Sequence, residues 1–311
     1  MKFRAFGKTQ WQISAVSMGC WNIGGQWGEV AEDVAIDTIH AAFDMGVNLF
    51  DTADSYGMGR SESLVGKALK DRRDKVHIAT KVGNWGRKLN APLSFASVYH
   101  VVNCCHASLH RLQTDYIDFY QCHIPSPDNT EIFLEAFDML EKEGKIRAWG
   151  ISTNDVAAVR AFNRDGRCSG CQINYSILNR TPEKDILPYC QQNNIGVLLR
   201  GPIGQGLLAG KFTAETRFDD SVREAWNDGK AREKFLKNLA KVEQLRFLEK
   251  PGRALVQAAL QFTLAHPAVT CPIPGMKNPD QARSNAAAAD GELTAEELAR
   301  IDQAFPPGTA V

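Results

Sequence analysis

With 311 residues, 44% of them apolar and 23% charged, the chain falls in the ordinary globular range and is long enough to bury a large core. Its 36 Lys and Arg balance its 36 Asp and Glu without long blocks of either sign, which argues against nucleic-acid or membrane partners and for a small-molecule one. No stretch approaches ~18 apolar residues, and the charged opening MKFRAFGKTQ lacks a secretory apolar run, so a cytoplasmic location is expected.

Lys2–Phe6 and Trp11–Ile13 flank Gly7-Lys8-Thr9 and predict a β-hairpin placed to plug one end of a barrel. Short apolar runs then follow at 15–18, 47–50, 76–80, 116–120, 146–151, 171–174, 195–199 and 268–271. Amphipathic helical patterns separate or follow them near 31–45, 61–70, 94–110, 130–143, 154–164, 183–193, 253–265 and 279–288. Each crossover is long enough for a parallel connection, and the βα rhythm predicts eight parallel strands in one domain over 1–311.

Residues 207–250 exceed a normal crossover; they hold the polar and aromatic stretch 211–229 and an extra helical pattern at 230–249. Insertions of this length usually form lids or binding loops. A doubly wound open sheet is the alternative architecture, but its phosphate-binding glycine turn should follow the first strand, where Met18-Gly19-Cys20-Trp21 stands instead. The expected α/β fold is therefore a (β/α)8 TIM barrel with an N-terminal hairpin plug and extra helices and long loops on its C-terminal side, where the active site should lie.

Eight cysteines in so long a chain do not make a secreted disulfide framework. Cys168 and Cys171 form a CxxC, but no second pair or His follows at ligand spacing, and no metal is expected. Cys104 and Cys105 lie in a helical pattern and read as core thiols.

At the strand ends stand four polar residues that packing does not explain: Asp51, Tyr56, Lys81 and His123. Singly, such a Lys or His is more often a salt bridge or a satisfied polar core residue. Jointly they suggest chemistry. A buried Lys81 needs a counter-charge, which Asp51 can supply while one side of the ammonium faces Tyr56. The cation is expected to favour phenolate and bring Tyr56 toward physiological pH as a proton donor, with His123 orienting a carbonyl oxygen. A Schiff-base role for Lys81 competes, though Asp51 and Tyr56 suit a charged lysine better.

These residues lie in Gly46-Val-Asn-Leu-Phe-Asp-Thr-Ala-Asp-Ser-Tyr56-Gly, Ala79-Thr-Lys81 and Asp115-Tyr-Ile-Asp-Phe-Tyr-Gln-Cys-His123. With Gly150-Ile-Ser152, Gly206-Leu-Leu-Ala-Gly-Lys211 and Ile273-Pro-Gly275, they resemble the aldo-keto reductase superfamily from the hairpin to about residue 305. The resemblance implies an NADP(H)-preferring barrel, with NAD(H) bound more weakly, in which Asp51, Tyr56, Lys81 and His123 form the catalytic tetrad. It implies reduction of aldehydes or ketones, or the reverse reaction on alcohols or sugars, by a monomer or weak oligomer. Channel β-subunits of the same superfamily supply the alternative of a regulatory cofactor-binding module.

The resemblance also implies cofactor contacts at Trp21 and Asp51, and carboxamide contacts at Ser152 and Gln172; Thr153 stands where Asn is common. Arg200, followed by Gly201 and Pro202, replaces a tyrosine that stacks on nicotinamide; its planar guanidinium can stack, and its charge should favour the reduced ring. A rim salt bridge is its plainer reading. Gly206, Lys211 and Gly275 continue the implied contact line to Lys277, which would meet the 2′-phosphate at a helix start. Gln281 stands where an Arg often adds a charge, and Asn285 would face adenine. Trp21, Trp85 and Trp226 could surround the carbonyl together with Tyr56 and His123, or merely cap the barrel.

Overall fold

Strands that are consecutive in the chain are also neighbours in space, and their pairing builds one parallel sheet. In the computed structural model, which describes residues 1–85 and 95–311, β1 (Phe3–Ala5) and β2 (Gln12–Ser14) form an antiparallel hairpin. Then come β3 (Met18–Gly19), β4 (Leu49–Asp51), β5 (His77–Val82) and β6 (Ile117–Cys122). The series ends with β7 (Ile146–Ser152), β8 (Gly170–Asn174), β9 (Gly196–Arg200) and β10 (Cys271–Pro272). Strands β3 to β10 pair in parallel and in sequence order.

The first and last of these eight also meet. Ser17 N donates to Pro272 O at 3.1 Å and Gly19 N to Pro274 O at 3.0 Å, with a parallel bridge between Gly19 and Gly275. These bonds close the sheet into a (β/α)8 barrel without an open edge.

Ten α-helices accompany the strands: α1 (Glu32–Asp44), α2 (Arg60–Leu69), α3 (Val98–Leu112), α4 (Thr130–Lys142) and α5 (Val156–Phe162), then α6 (Ile186–Gln192), α7 (Gly229–Glu243), α8 (Leu255–Ala265), α9 (Pro279–Ala286) and α10 (Ala295–Ala304) among the described residues. Helix α4 shows how they are specified. The Asn129 side chain caps it by accepting from Glu131 N. Phe133, Phe137 and Leu140 recur at helical spacing on its buried face, and Phe137 meets Tyr120 of β6 and Trp149 of β7 at 5.6 and 5.9 Å between ring centroids.

The boundaries differ from the sequence pattern where neighbouring pairings compete. Ala15 N donates to Lys2 O, so residue 15 extends the hairpin and β3 starts at Met18. Val269 N turns back to His266 O, which shortens β10 to Cys271–Pro272. Helix α3 begins at Val98 behind the Ser97 cap; position 94 of the expected pattern lies outside the described residues. The expected 230–249 helix ends as α7 at Glu243, followed by a short 3-10 turn over Arg246–Leu248. Helix α10 was not anticipated, although Thr294 and Glu297 carry a reciprocal capping box that announces it.

The hairpin delivers Phe6 into the barrel floor. The ring is fully buried with Leu49, Ala79, Phe119, Ala148 and Leu198. It fits because β8 and β9 offer glycine there: a Cβ on Gly170 or Gly196 would stand 2.4 Å from Phe6 ring atoms. Among the described residues no helix is long and apolar enough to cross a membrane.

Replacing the plug should be costly. Phe6→Ala is expected to destabilise the protein by about 3–5 kcal/mol, read from urea denaturation; a loss below about 1 kcal/mol would mean that the floor packs without Phe6.

Candidate active site

Parallel register brings polar side chains from several strands to the C-terminal end of the barrel. Lys81 of β5 lies opposite Gln121 of β6, and Gln172 of β8 opposite Ser152 of β7. Lys81 is fully buried, yet each of its three ammonium protons has an acceptor: Asp51 Oδ1 at 2.6 Å, Thr52 O at 2.7 Å and Tyr56 OH at 3.3 Å. Asp51 Oδ2 accepts from Gln172 Nε2 at 2.7 Å and Gln121 Nε2 at 3.3 Å.

Burial pushes the Asp51 carboxyl up, against Lys81, Gln172 and Gln121, all of which favour the charged form. Lys81 Nζ, Gln121 Nε2 and Gln172 Nε2 all donate to Asp51, so the carboxylate is the form this geometry calls for. For Lys81 burial is again the largest influence and lowers its pKa, but Asp51 and Tyr56 together hold it above the ordinary lysine value. An ammonium so held is a poor Schiff-base nucleophile.

Tyr56 accepts from Lys81, which leaves its own O–H to donate elsewhere. Its ring stacks on Trp21 at 5.7 Å and meets His123 edge-on at 5.9 Å. Gly57 makes this approach feasible: a Cβ there, at φ +59°, would lie 2.1 Å from Gly24 O in the loop after β3. Contrary to the sequence expectation, the phenol pKa is raised, because burial outweighs the nearby Lys81 charge. The group therefore stays protonated at neutral pH, with the Lys81 ammonium bonded to its oxygen.

A cavity of about 1440 Å³ opens from this cluster. Trp21, Asp51, Tyr56 and His123 line one end with Ser152, Gln172 and Arg200. Gly201, Pro202, Gly206 and Lys211 continue the wall to Gly275, Lys277, Gln281 and Asn285 at the other end. Lys81 is absent from the lining, since it sits behind Tyr56 and Asp51.

Other side chains are engaged elsewhere. The Thr153 hydroxyl accepts from Asp155 N at 2.9 Å and shapes the turn into α5, outside the cavity lining. Trp85 also lies outside that lining; its ring faces the Arg111 guanidinium at 5.7 Å. Trp226 does line the cavity, packed on Phe218 and Phe235 of the insertion. Arg200 donates to Asn154 Oδ1 at 3.2 Å, and Asn154 also binds the backbone of Asn174, joining the ends of β8 and β9. Gln281 turns its side chain to Lys277 N at 2.9 Å.

Sequence reasoning missed Gln121, Trp27 and Arg223. Gln121 could have been found as the register partner of Lys81. The other two join the insertion to the loop after β3: Arg223 lies over the Trp27 ring at 5.2 Å, Lys277 Nζ donates to Trp27 O, and Ser221 Oγ donates to Gln26 O at 3.0 Å. Burial and the Arg223 charge lower the Lys277 pKa, a strain that an anionic ligand would relieve.

All eight cysteines are free thiols, and burial pushes Cys168 up to about 12. Among the described residues no group of three or more His, Cys, Asp or Glu side chains is placed to hold a metal.

Residues 15–305 match the model of the aldo/keto reductase family. The chain is 36% identical over 294 residues to the aldo-keto reductase YhdN of Bacillus subtilis, covering 90% of this chain and 86% of that protein. It is 35% identical to the NADH-specific methylglyoxal reductase of Escherichia coli, covering 94% and 95%. It superimposes on an aldo-keto reductase from Klebsiella pneumoniae in complex with NADPH at a TM-score of 0.77, with 29% identity over 98% of this chain and 95% of that one.

Breaking the buried ion pair on one side strands the other charge. Lys81→Met should cost about 3–5 kcal/mol in denaturation experiments, and adding Asp51→Asn should restore most of it. Equal stability of Lys81→Met and wild type would mean that the pair is not desolvated.

Proposed function

The chain belongs to the aldo/keto reductase family, and we propose that it reduces aldehydes or ketones to alcohols, or runs the reverse on alcohols or sugars, with Tyr56 as general acid–base and NADP(H) as preferred cofactor. The observation that carries this reading is the buried Lys81 ammonium, bonded to Asp51 on one side and to the Tyr56 hydroxyl on the other.

The cavity suits a dinucleotide. Amide and hydroxyl groups of Ser152 and Gln172 stand beside Tyr56, and Lys277 awaits an anion at the far end. The bound cofactor would supply the hydride. Ser152 and Gln172 would hold its carboxamide, Arg200 would lie against the ring, and Lys277 would take the 2′-phosphate with Asn285 near adenine. Gln281, spent on the Lys277 backbone, adds no charge there. NAD(H) is accordingly proposed as the weaker alternative, in keeping with the NADH-specific relative.

In the forward direction the carbonyl oxygen sits between the Tyr56 hydroxyl and the His123 imidazole, within the wall that Trp21 shields from water. Charge building on that oxygen draws the proton from Tyr56, and Lys81 stabilises the oxygen left behind. Eight unpaired thiols favour a reducing, cytosolic setting.

Tyr56→Phe should lower turnover of a carbonyl substrate by ~10²-fold or more while leaving NADPH affinity nearly intact; near-normal turnover would sink the assignment. For the cofactor, one charged phosphate contact corresponds to roughly tenfold to a hundredfold in affinity. Lys277→Ala should therefore weaken NADPH by that factor and NADH barely, with discrimination shrinking as salt rises. Equal losses for both cofactors would make Lys277 structural.

A further inference from the structure

Not every polar side chain around Tyr56 is spent on the network behind it. Gln26, in the loop that joins β3 to α1, is half-buried and lines the cavity. Its Oε1 accepts from Trp21 Nε1. An indole N–H only donates, so the amide has to present its oxygen there, and both Nε2 protons remain. Nε2 is neither bonded nor buried among the described residues. Asn84, two residues past the end of β5, lines the same cavity, and its carboxamide likewise has no hydrogen-bond partner among the described residues.

The Gln26 amide is also held in place. Its backbone O accepts from Ser221 Oγ of the insertion at 3.0 Å. Trp21, to which its side chain is bonded, stacks on Tyr56 at 5.7 Å and meets Trp27 edge-on at 5.0 Å. Arg60, four residues after Tyr56, anchors the loop through Nη1 to Ile23 O and through Nη2 to Val30 O at 2.7 Å. Ser61 Oγ adds a bond to Cys20 O at 2.7 Å. The donor pair therefore keeps a set position relative to the Tyr56 ring, one indole away.

We propose that Gln26 is a specificity-determining residue whose amide donates to a hydroxyl oxygen of the substrate, so that the site selects hydroxylated aldehydes and ketones over apolar ones of equal size. That selectivity rests on the reading of Tyr56 as proton donor to the carbonyl. Trp21 and Trp27 alone would accept an apolar chain, but the unengaged amides decide against one. Water solvates them in the open cavity; a substrate hydroxyl replaces that bond, whereas a methyl group displaces the water and leaves the donors unpaired. Trp21 offers no competing donor, because Gln26 consumes its N–H. A site built to bond a hydroxyl rejects the analogue that lacks it far more strongly than an apolar pocket rejects a methylene difference. Asn84 gives a second hydroxyl a partner from the loop after β5.

Steady-state kinetics with NADPH on glyceraldehyde and 2-methylbutanal test this, since the second aldehyde carries a methyl group in place of each hydroxyl of the first. Differences in intrinsic reactivity and hydration are the same for every variant, and a misfolded fraction lowers both rates alike. The readout is therefore the glyceraldehyde-to-2-methylbutanal ratio of kcat/KM, compared with wild type. Gln26→Met keeps the length of the side chain and removes both donors; the ratio should fall about five- to twentyfold. Trp21→Phe keeps a ring on Tyr56 but leaves the Gln26 amide able to rotate, and should lower the ratio by a smaller factor.

An unchanged ratio in Gln26→Met overturns the proposal, because it reduces Gln26 to a prop for Trp21. Failure of the underlying reading looks different: Tyr56→Phe would reduce both aldehydes at wild-type rates, whatever the ratio in Gln26→Met.

Discussion

A lysine ammonium buried without water must find an acceptor for every proton, and that requirement organises the working end of this protein. Desolvating the charge costs several kcal/mol unless geometry and hydrogen bonds compensate it. Asp51, Thr52 O and Tyr56 OH are the three acceptors for Lys81. Satisfying Asp51 in turn recruits Gln121 and Gln172, so side chains from β4, β5, β6 and β8 are locked into one network. The orientation of the Tyr56 hydroxyl is a by-product of that accounting: its lone pair serves Lys81, and its proton is left for the cavity.

The barrel makes this arrangement possible because it brings non-adjacent strands within reach of one carboxylate. Gln172 reaches Asp51 across the interior, although β8 and β4 are not hydrogen-bonded neighbours. That reach depends on closure through Ser17 and Gly19 at one seam and on a filled floor, where Phe6 occupies the space left by Gly170 and Gly196. The insertion that carries α7 adds a different element: its Arg223 and Ser221 contact the loop after β3, so the cavity is bounded on two sides by segments outside the barrel strands.

Much of this was legible in the sequence, for identifiable reasons. Eight apolar runs separated by amphipathic ones expose the barrel, since hydrophobic period and crossover length leave few alternatives. Asp51, Tyr56, Lys81 and His123 stood out because charged or polar groups at strand ends have no packing role, and the structure clusters them. Gln121 did not stand out: a neutral amide inside an apolar strand carries no signal until register pairs it with Lys81. The pKa direction of Tyr56 was misjudged because sequence names the charged neighbour but not the degree of burial, and burial is the larger influence. Trp85 follows a strand end closely yet turns to Arg111, a choice of rotamer and loop path that residue order does not encode. Short strands such as β3 and β10 lost residues to backbone donors committed elsewhere, which pattern alone cannot count.

The chemistry of this site depends most on where the protons lie between Lys81, Asp51 and Tyr56. A neutron diffraction structure of the deuterium-exchanged protein at neutral pH would locate them. The predicted result is three deuterons on Lys81 Nζ, directed at Asp51 Oδ1, Thr52 O and Tyr56 OH, none on Asp51, and a Tyr56 deuteron pointing into the cavity. A neutral Lys81, a deuteron on Asp51, or a Tyr56 O–D aimed at Nζ would contradict it.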